Sequence, residues 1–406
     1  MAFRINSYQQ LSLTDSYSGL TCREQQALER SWAKTFSEDI FPSIDEEPFA
    51  VLYSSNASRP NTPVNVCIGA LIIKEVFGIS DDEIVENLML DPRYQYALHT
   101  TSYEEQPLSD KSLSRFRKRC YDYESVYGVD LLHNCIVGLS DKIAKMMDIN
   151  PRIKRMDSMM IAANIRKLSR TELLYTCVAK MVIYLHKNNQ KDLPKKFDHY
   201  CDPNDYNRTF YYNNDSETDN QLKTVLEDAD ELLSVCGSDY DDVTEYQLLI
   251  RCLSEQTIVD EAVRRLRTKE DGGFHSGMLQ NPSDPDATFR TKAGKEHQGY
   301  VANLEETVGK NGSVITDYQY EKNNYSDSQF LKDSLDRSEV QEDETTLITD
   351  GAYSGKENHD LATGKNIRLI NTDLSGKPID DILADFVFNE TGTKVLRCPA
   401  GYEPKS

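Results

Sequence analysis

Apolar residues recur at helical spacing in the first 150 residues. After Thr62-Pro63 they repeat every three to four residues until Gly78, which predicts a helix with proline near its start and glycine after its end. A capping box at residues 80–83 predicts the start of the next helix, and further helices follow. The pattern therefore predicts a helical domain over residues 61–150, preceded by an N-terminal segment and linker over residues 1–60.

A helix predicted from Ser109 combines an apolar core face with a strongly basic outer face. Its outward basic residues are Lys111, Arg115, Lys118 and Arg119. Several short helices that end in a basic one are typical of a helix-turn-helix-like module, so we predict that these four side chains bind DNA. The same pattern also fits a helical bundle whose last helix has a solvated charged face.

The hydrophobic period changes after the helical domain. Residues 152–158 alternate in the manner of a short strand that ends at the carboxylate of Asp157. Residues from about 160 to 268 then return to helical spacing over a length that is too great for a loop. We therefore predict a long helical insertion within a second domain that spans residues 151–406.

Beyond the insertion the pattern has period two. Alternation on both sides of Lys310-Asn311-Gly312 predicts a β-hairpin. A helix follows, and then a short strand at residues 345–349 that ends at Asp350. A strand at residues 366–370 and a second hairpin at residues 385–398 come after it. Together these elements predict a fold of the α+β or α/β class, in which a long helical insertion interrupts a mixed sheet.

Charge is distributed unevenly along the chain. The 406 residues include 46 Lys and Arg against 67 Asp and Glu, a formal net charge of −21, which by itself argues against a nucleic-acid partner. Residues 215–245 contain eleven acidic residues and one lysine, however, whereas residues 111–119 and 152–170 are basic. A local basic face is sufficient to attract DNA.

The sequence also limits the compartment and the kind of metal site. Its apolar runs are far shorter than the roughly 20 residues that cross a bilayer, and the N-terminus has no apolar signal core, so a cytoplasmic protein without a membrane partner is expected. The nine cysteines include no C-x-x-C pair, which argues against a zinc site and a disulfide framework.

Two aspartates occupy the same predicted context. Asp157 and Asp350 each follow a short strand and precede a small residue. Because ligand sites in open α/β sheets form beyond the carboxyl ends of strands, we expect the two side chains to converge. Paired carboxylates suit Mg²⁺ or Mn²⁺, and two such ions support phosphoryl transfer. For each aspartate alone, an ordinary turn is the simpler interpretation.

The order of these pieces resembles that of bacterial insertion-sequence transposases of the Asp-Asp-Glu (DDE) class. The matching pieces lie in order through most of the chain after residue 61. They are residues 62–91, 109–119, 156–160 (MDSMM), 283–287 (SDPDA), 299–301 (GYV) and 349–355 (TDGAYSG). Each piece is short, and their joint order carries the resemblance.

The resemblance implies a ribonuclease-H-like core whose first and fourth strands carry Asp157 and Asp350 as catalytic, metal-binding residues. Two ions, Mg²⁺ or Mn²⁺, would activate water for DNA cleavage and then the new 3′-hydroxyl for strand transfer. The implied partners are double-stranded DNA, as element ends and target, and further copies of the chain in a homodimer or larger complex. The implied location is the bacterial cytoplasm, in association with the nucleoid.

The chain departs from that family in its third carboxylate. The family supplies a glutamate from a helix well after the fifth strand, and no such helix is predicted before Ser406. The expectation is therefore a C-terminally truncated transposase with little strand-transfer activity of its own. Two other functions stay open: an end-binding protein or repressor without catalysis, and a ribonuclease-H-like nuclease that hydrolyses without joining.

Further basic residues follow Asp157 closely. Arg166, Lys167 and Arg170 are predicted to lie on a helix and to hold the phosphate backbone of DNA. Asp284 and Asp286 belong to a segment shared with the family. We do not assign them a catalytic role, because loop-end capping or structural hydrogen bonding is at least as good an interpretation.

Overall fold

The chain folds into two compact units with mixed α and β structure. The computed structural model describes residues 1–6, 15–54, 56, 59–103, 105–150, 152–188, 193–211, 218–261, 263–292, 294–372, 386–389, 394–398 and 401–404. Unit 1 comprises Met1–Arg155 and Glu305–Tyr318, and unit 2 comprises Met156–Leu304 and Gln319–Ser406.

Unit 1 is helical through most of its described length. Its α-helices are α1 (Cys22–Glu29), α2 (Trp32–Thr35), α3 (Val64–Phe77), α4 (Asp81–Leu90), α5 (Pro92–Ala97), α6 (Ser112–Tyr127) and α7 (Leu131–Met146). One core of buried apolar side chains extends from α2 to α7 and includes residues from both sides of the predicted boundary at residue 60, such as Phe49 and Ile68.

Helix α3 lies at the centre of this core. A Cβ atom on Gly69 would lie 2.5 Å from Leu98 Cδ2, so any other residue at this position would require the buried side chain of Leu98 to shift. The helix begins at Val64 and has no side-chain cap from its own flank. Instead, the buried carboxylate of Glu46 accepts hydrogen bonds from the backbone amides of Val64 and Asn65, at 3.0 and 3.1 Å. A distant residue therefore caps the helix.

The segment 305–318 of unit 1 is the turn end of the predicted β-hairpin. The His133 Nε2 atom of α7 lies 2.9 Å from Asp317 Oδ1 and 2.9 Å from the carbonyl oxygen of Tyr318. The hydrogen bond to Asp317 raises the pKa of His133, and burial opposes this effect. Lys154 Nζ also donates to Glu305 Oε1 at 2.7 Å. Polar contacts thus fix the hairpin end within unit 1.

Most of the strands and the remaining helices belong to unit 2. The described strands of the chain are β1 (Ile153–Ala162), β2 (Thr257–Asp260), β3 (Val263–Leu266), β4 (Thr288–Lys292), β5 (Lys295–Gly309), β6 (Gly312–Lys322), β7 (Thr345–Asp350), β8 (Ile367–Thr372), β9 (Val387–Phe388) and β10 (Val395–Arg397). The helices of unit 2 are α8 (Arg170–Asn188), α9 (Asp205–Tyr211), α10 (Thr218–Cys236), α11 (Thr244–Gln256), α12 (Asp327–Arg337) and α13 (Lys356–Gly364).

A six-stranded mixed sheet is the centre of unit 2. Its strand order is β4-β5-β1-β7-β8, and β6 also pairs with β5. Strands β7 and β8 are parallel, whereas β4 and β5 are antiparallel. At Gly299, where φ is +143°, a Cβ atom would lie 2.5 Å from the backbone nitrogen of Ala163. Glycine therefore permits the close approach of the chain at the end of β1.

The predicted helical insertion is present between β1 and β4, the next strand of the sheet along the chain. Helices α8 to α11 enclose a separate apolar core that includes Leu174 and Met181. The insertion differs from the prediction at both ends, because β1 continues to Ala162 and strands β2 and β3 pair antiparallel near its end.

The predicted hairpin at residues 385–398 is described only in part. Strands β9 and β10 pair antiparallel, whereas Asp385, Glu390 and Thr393 lie outside the described residues. No helix in the part of the chain that the structure describes is both long enough and apolar enough to cross a bilayer.

Candidate active site

Strand β1 places Asp157 on the exposed side of the sheet. Its neighbour Met156 is 3% exposed and belongs to the core, so strand alternation turns Asp157 outward. One carboxylate oxygen, Oδ1, accepts a hydrogen bond from the backbone amide of Ser158 at 2.8 Å. The prediction that the strand ends at Asp157 is wrong, because β1 is an interior strand of the sheet and extends to Ala162.

Strand β7 places Asp350 at its carboxyl end, as predicted. Buried and half-buried positions alternate along β7, and Asp350 is half-buried. Its Oδ1 atom accepts a hydrogen bond from the amide of Ala352 at 2.9 Å and so caps the 3₁₀ turn Gly351–Tyr353. This contact fixes the carboxylate and directs the chain that follows back into the core.

Tyr353 connects the environments of the two aspartates. Its side chain is fully buried, and its hydroxyl donates to Asn303 Oδ1 at 2.7 Å. Burial raises the pKa of Tyr353 far above its usual value, and the negative charges of Asp327, Asp157 and Asp350 add to this shift. Since β1 and β7 are neighbours in the sheet, Asp157 and Asp350 lie on adjacent strands and act on the same phenol.

Sequence reasoning missed the buried partners of this site. Asp327, the first residue of α12, is 6% exposed and accepts a hydrogen bond from Ser158 Oγ at 2.7 Å. Tyr353 was part of the motif around Asp350, but no role was predicted for it. Asp327 follows the N-cap residue Ser326, so the local sequence looks like an ordinary helix start. No local signal therefore marked Ser158 and Asp327 as partners.

The donor atoms of Asp157 and Asp350 fit a hard divalent cation. In each carboxylate, Oδ1 is bound to a backbone amide, and Oδ2 has no hydrogen bond to any described residue. Mg²⁺ is commonly held by one or two carboxylates together with water and substrate phosphate. The described residues contain no group of three or more His, Cys, Asp or Glu side chains that could hold a metal ion. The Oδ2 atoms of Asp157 and Asp350 are the donor atoms that would hold such an ion.

The basic residues after β1 contact other parts of unit 2. Helix α8 begins at Arg170, so Arg166 and Lys167 lie in the irregular segment before it, and the prediction that they are helical is wrong. The Arg166 guanidinium lies 5.0 Å from the centre of the Tyr206 ring and pairs with Glu172 at 3.2 Å. Lys167 is 3.8 Å from Glu296.

Arg170 is tied to the backbone of its own unit. Its Nε donates to Gln256 Oε1 and its Nη1 to the carbonyl oxygen of Arg267, both at 2.8 Å. Its guanidinium also lies 5.4 Å from the centre of the Phe274 ring. Burial, together with the charge of Arg267, lowers the pKa of Arg170. The side chain thus joins the start of α8 to the segment after β3.

The four predicted DNA-binding residues near α6 have different surroundings. Lys111 is exposed just before the helix. Lys118 pairs with Asp122 at 2.9 Å, one helical turn along. Arg115 is exposed, and the Arg119 guanidinium lies 5.1 Å from the centre of the Tyr53 ring. Of the four predicted DNA-binding residues, Lys118 is therefore ion-paired, whereas Lys111, Arg115 and Arg119 form no ion pair with a described carboxylate.

The aspartates of the segment 283–287 have structural partners. Tyr300 donates a short hydrogen bond to Asp284, and Lys322 pairs with Asp286 at 2.8 Å. Burial and this hydrogen bond raise the pKa of Tyr300. These contacts agree with the interpretation of the two aspartates as structural residues.

Residues 25–119 match the family model of a transposase domain (DUF772). The match supports a transposase-family protein. It lies within unit 1, where it runs from α1 into α6 and includes Arg115 and Arg119, and it includes neither Asp157 nor Asp350. No curated protein and no solved structure matches the chain.

Proposed function

We propose that this protein is a DNA transposase of the DDE class that cleaves and joins DNA strands with a divalent metal ion. The observation that carries the proposal is the pair of carboxylates on adjacent strands, Asp157 on β1 and Asp350 on β7. The transposase-domain match at residues 25–119 supports the same function from the other unit. The sheet order supports a ribonuclease-H-like core, because β1 and β7, the two strands that carry these aspartates, are neighbours in the sheet.

In this proposal Asp157 and Asp350 would hold Mg²⁺ or Mn²⁺ through their Oδ2 atoms. Two such ions would supply the activation of an attacking oxygen and the stabilisation of a leaving oxygen in phosphoryl transfer. The Oδ1 atoms, which are bound to the amides of Ser158 and Ala352, fix the orientation of the carboxylates before DNA arrives. Tyr353 stays protonated because of its raised pKa and therefore adds no negative charge to the site.

The proposed substrate is double-stranded DNA, as the ends of an insertion sequence and a target. Binding would occur through cationic side chains, among them Arg115 and Arg119 of α6. The pairing of two element ends requires more than one copy of the chain, so we propose a homodimer or larger complex on DNA. The bacterial nucleoid is the location that follows from such a substrate.

Substitution of each aspartate by asparagine tests the chemistry. Asp157→Asn and Asp350→Asn keep the side-chain shape but remove the charge that a metal ion requires. We expect transposition of a marked element in cells to fall on the order of 100-fold or more, because even outer-shell changes at metal sites cost 10–100-fold. Asp336→Asn, at an exposed position of α12, is the matched control and should leave the frequency unchanged.

The same variants distinguish the other two functions. An end-binding protein or repressor predicts that both asparagine variants bind DNA as the wild type does and that neither substitution changes the transposition frequency. That result would overturn a role of these aspartates in the chemistry. Labelling of the 3′-hydroxyl of the element end separates joining from hydrolysis. A nuclease would release that end without transferring it to a second duplex.

A further inference from the structure

Unit 1 contains a polar cleft of about 1250 Å³. Four arginines line it, here called the arginine cleft: Arg4, Arg59, Arg115 and Arg119. Arg115 and Arg119 are one turn apart on α6 and therefore share a helix face. Backbone hydrogen bonds fix the positions of the other two, Arg4 and Arg59. The amide of Ala2 donates to the carbonyl oxygen of Arg59 at 3.0 Å, and the amide of Arg4 donates to Asn61 Oδ1 at 2.7 Å. Three separate segments therefore place these charges around one opening.

The arginine cleft has an excess of positive charge in an acidic chain. No described carboxylate forms an ion pair with any of its four guanidinium groups. Elsewhere in unit 1, by contrast, Arg93 pairs with Asp91 at 2.6 Å and Arg117 with Asp81 at 2.5 Å. Two acidic residues, Glu105 and Asp110, are among the described residues that line the cleft. The charge of the cleft is therefore available to an anion from outside the chain.

Tyr53 supports Arg119 without neutralising it. The Arg119 guanidinium lies 5.1 Å from the centre of the Tyr53 ring, a distance typical of a cation–π contact. Burial raises the pKa of Tyr53 to about 12, so the phenol stays uncharged near neutral pH. The contact restricts the arginine and leaves its positive charge available.

The number and spacing of the arginines indicate the class of ligand. A single phosphate needs one or two guanidinium groups, which bind it through paired N–H donors. Four arginines around a cleft of this volume match a chain of phosphates instead. The backbone of a nucleic acid is the ligand that provides such a series.

We propose that the arginine cleft binds the phosphate backbone of DNA, with Arg4 and Arg59 as contacts in addition to Arg115 and Arg119. The identity of the nucleic acid as DNA rests on the proposed function, whereas the anion-binding cleft does not. Lys118 lies outside the residues that line the cleft, and its ammonium group is paired with Asp122. It is therefore not a contact in this proposal.

The test measures DNA affinity of the full chain by fluorescence anisotropy at several salt concentrations, with labelled duplexes of unrelated sequence. The variant Arg59→Ala/Arg115→Ala removes two exposed cleft arginines. We expect at least tenfold weaker binding, equal for all duplexes. Because each lost phosphate contact removes about 0.9 from the slope of log K against log salt, the slope should fall by about 2.

Two control variants accompany the double variant. Arg30→Ala removes an exposed arginine that does not line the cleft and should leave affinity and slope unchanged. Arg59→Lys/Arg115→Lys keeps both charges and should retain most of the slope while losing part of the affinity, since lysine lacks the paired donors. Thermal unfolding of every variant verifies the fold.

Three results distinguish the outcomes. Unchanged affinity and slope in a folded Arg59→Ala/Arg115→Ala variant would overturn the proposal. Equal displacement of DNA by poly-aspartate or RNA at matched charge would overturn the assignment to DNA. Asp157→Asn and Asp350→Asn should bind DNA with wild-type affinity in EDTA. A failure of the proposed catalysis would therefore leave the cleft result intact, and a failure of the cleft would leave the catalytic test intact.

Discussion

Two basic segments that look alike in the sequence differ in what their charges contact. Near α6 in unit 1, Arg115 and Arg119 line an open cleft and have no ion pair with a described carboxylate. In unit 2, Arg166 and Arg170 contact aromatic rings and hydrogen-bond acceptors of their own unit. The comparison teaches that a run of basic residues predicts charge, whereas the fold decides whether that charge is available to a ligand.

The contrast has a simple electrostatic origin. In a chain with 67 acidic against 46 basic residues, carboxylates are available to pair with cations. Two cations on the same helix as Arg115 and Arg119 have such partners, because Arg117 pairs with Asp81 and Lys118 with Asp122. A cation without such a partner must be held by backbone or aromatic contacts or stay solvated. The three predictions below test this difference, from the largest expected effect to the smallest.

Arg170→Ala should destabilise the protein most. It removes the hydrogen bonds to Gln256 Oε1 and to the carbonyl oxygen of Arg267, and the side chain of Gln256 is buried, so its acceptor loses its donor without access to water. We expect a loss of about 2–3 kcal/mol in the free energy of unfolding, measured with urea on the full chain. Lys167→Ala is the control and should change it by less than about 0.5 kcal/mol, because its pair with Glu296 is exposed and long. Equal effects of the two substitutions would contradict a structural role for Arg170.

Arg166→Ala should have a smaller and more local effect. The guanidinium is nearly half-exposed, and it contacts the rings of Tyr206 and Tyr211 and pairs with Glu172. We expect a loss of about 1 kcal/mol, the usual size of such cation–π contacts. Hydrogen exchange should become faster in α9, which contains both tyrosines. Lys187→Ala, at an exposed position near the end of α8, should leave the exchange of α9 unchanged.

His133→Gln tests an ion-paired side chain of unit 1 through the pH dependence of the free energy of unfolding. The hydrogen bond to Asp317 raises the folded pKa of His133 above its unfolded value near 6.5. The stabilisation is therefore fully present below pH 6.5 and is lost as pH rises through the folded pKa. Between pH 6 and 8.5 the wild type should lose about 0.5–1 kcal/mol more than the variant in urea unfolding.

The control for this pH series is His359→Gln. The Nε2 atom of His359 lies 2.9 Å from the amide oxygen Oδ1 of Asn371, and no carboxylate of a described residue forms an ion pair with its ring. Parallel pH curves for wild type and His133→Gln would show that the contact with Asp317 does not stabilise the charged ring.

Elements with strong local signals were predictable from the sequence. As predicted, helix α4 begins after the capping box at Ser80, and α3 ends before Gly78. The structure adds that Gly78 has a left-handed backbone conformation. The strand that ends at Asp350 and the hairpin around residues 310–312 are also confirmed. These signals are local because caps and turns involve residues a few positions apart.

Features that depend on distant partners were not predictable. Strand β1 extends past Asp157 because β5 and β7 pair with it on either side. Both partner strands lie far away in the sequence, so the residues of β1 alone do not indicate them. The same holds for Glu46, which caps α3 from 18 positions away. Around the candidate site, Ser158 and Asp327 are 169 positions apart and yet form one hydrogen bond.

The sequence by itself determined the order of helical and extended segments, the two aspartates and the presence of basic clusters, because these depend on residue type and short spacing. Only the tertiary structure decided that β1 and β7 are neighbours, that Tyr353 lies close to both aspartates, and that the cleft arginines have no ion pair with a described carboxylate. The physical reason is that pairing, burial and electrostatic influence depend on distances in space, which contacts between remote segments set.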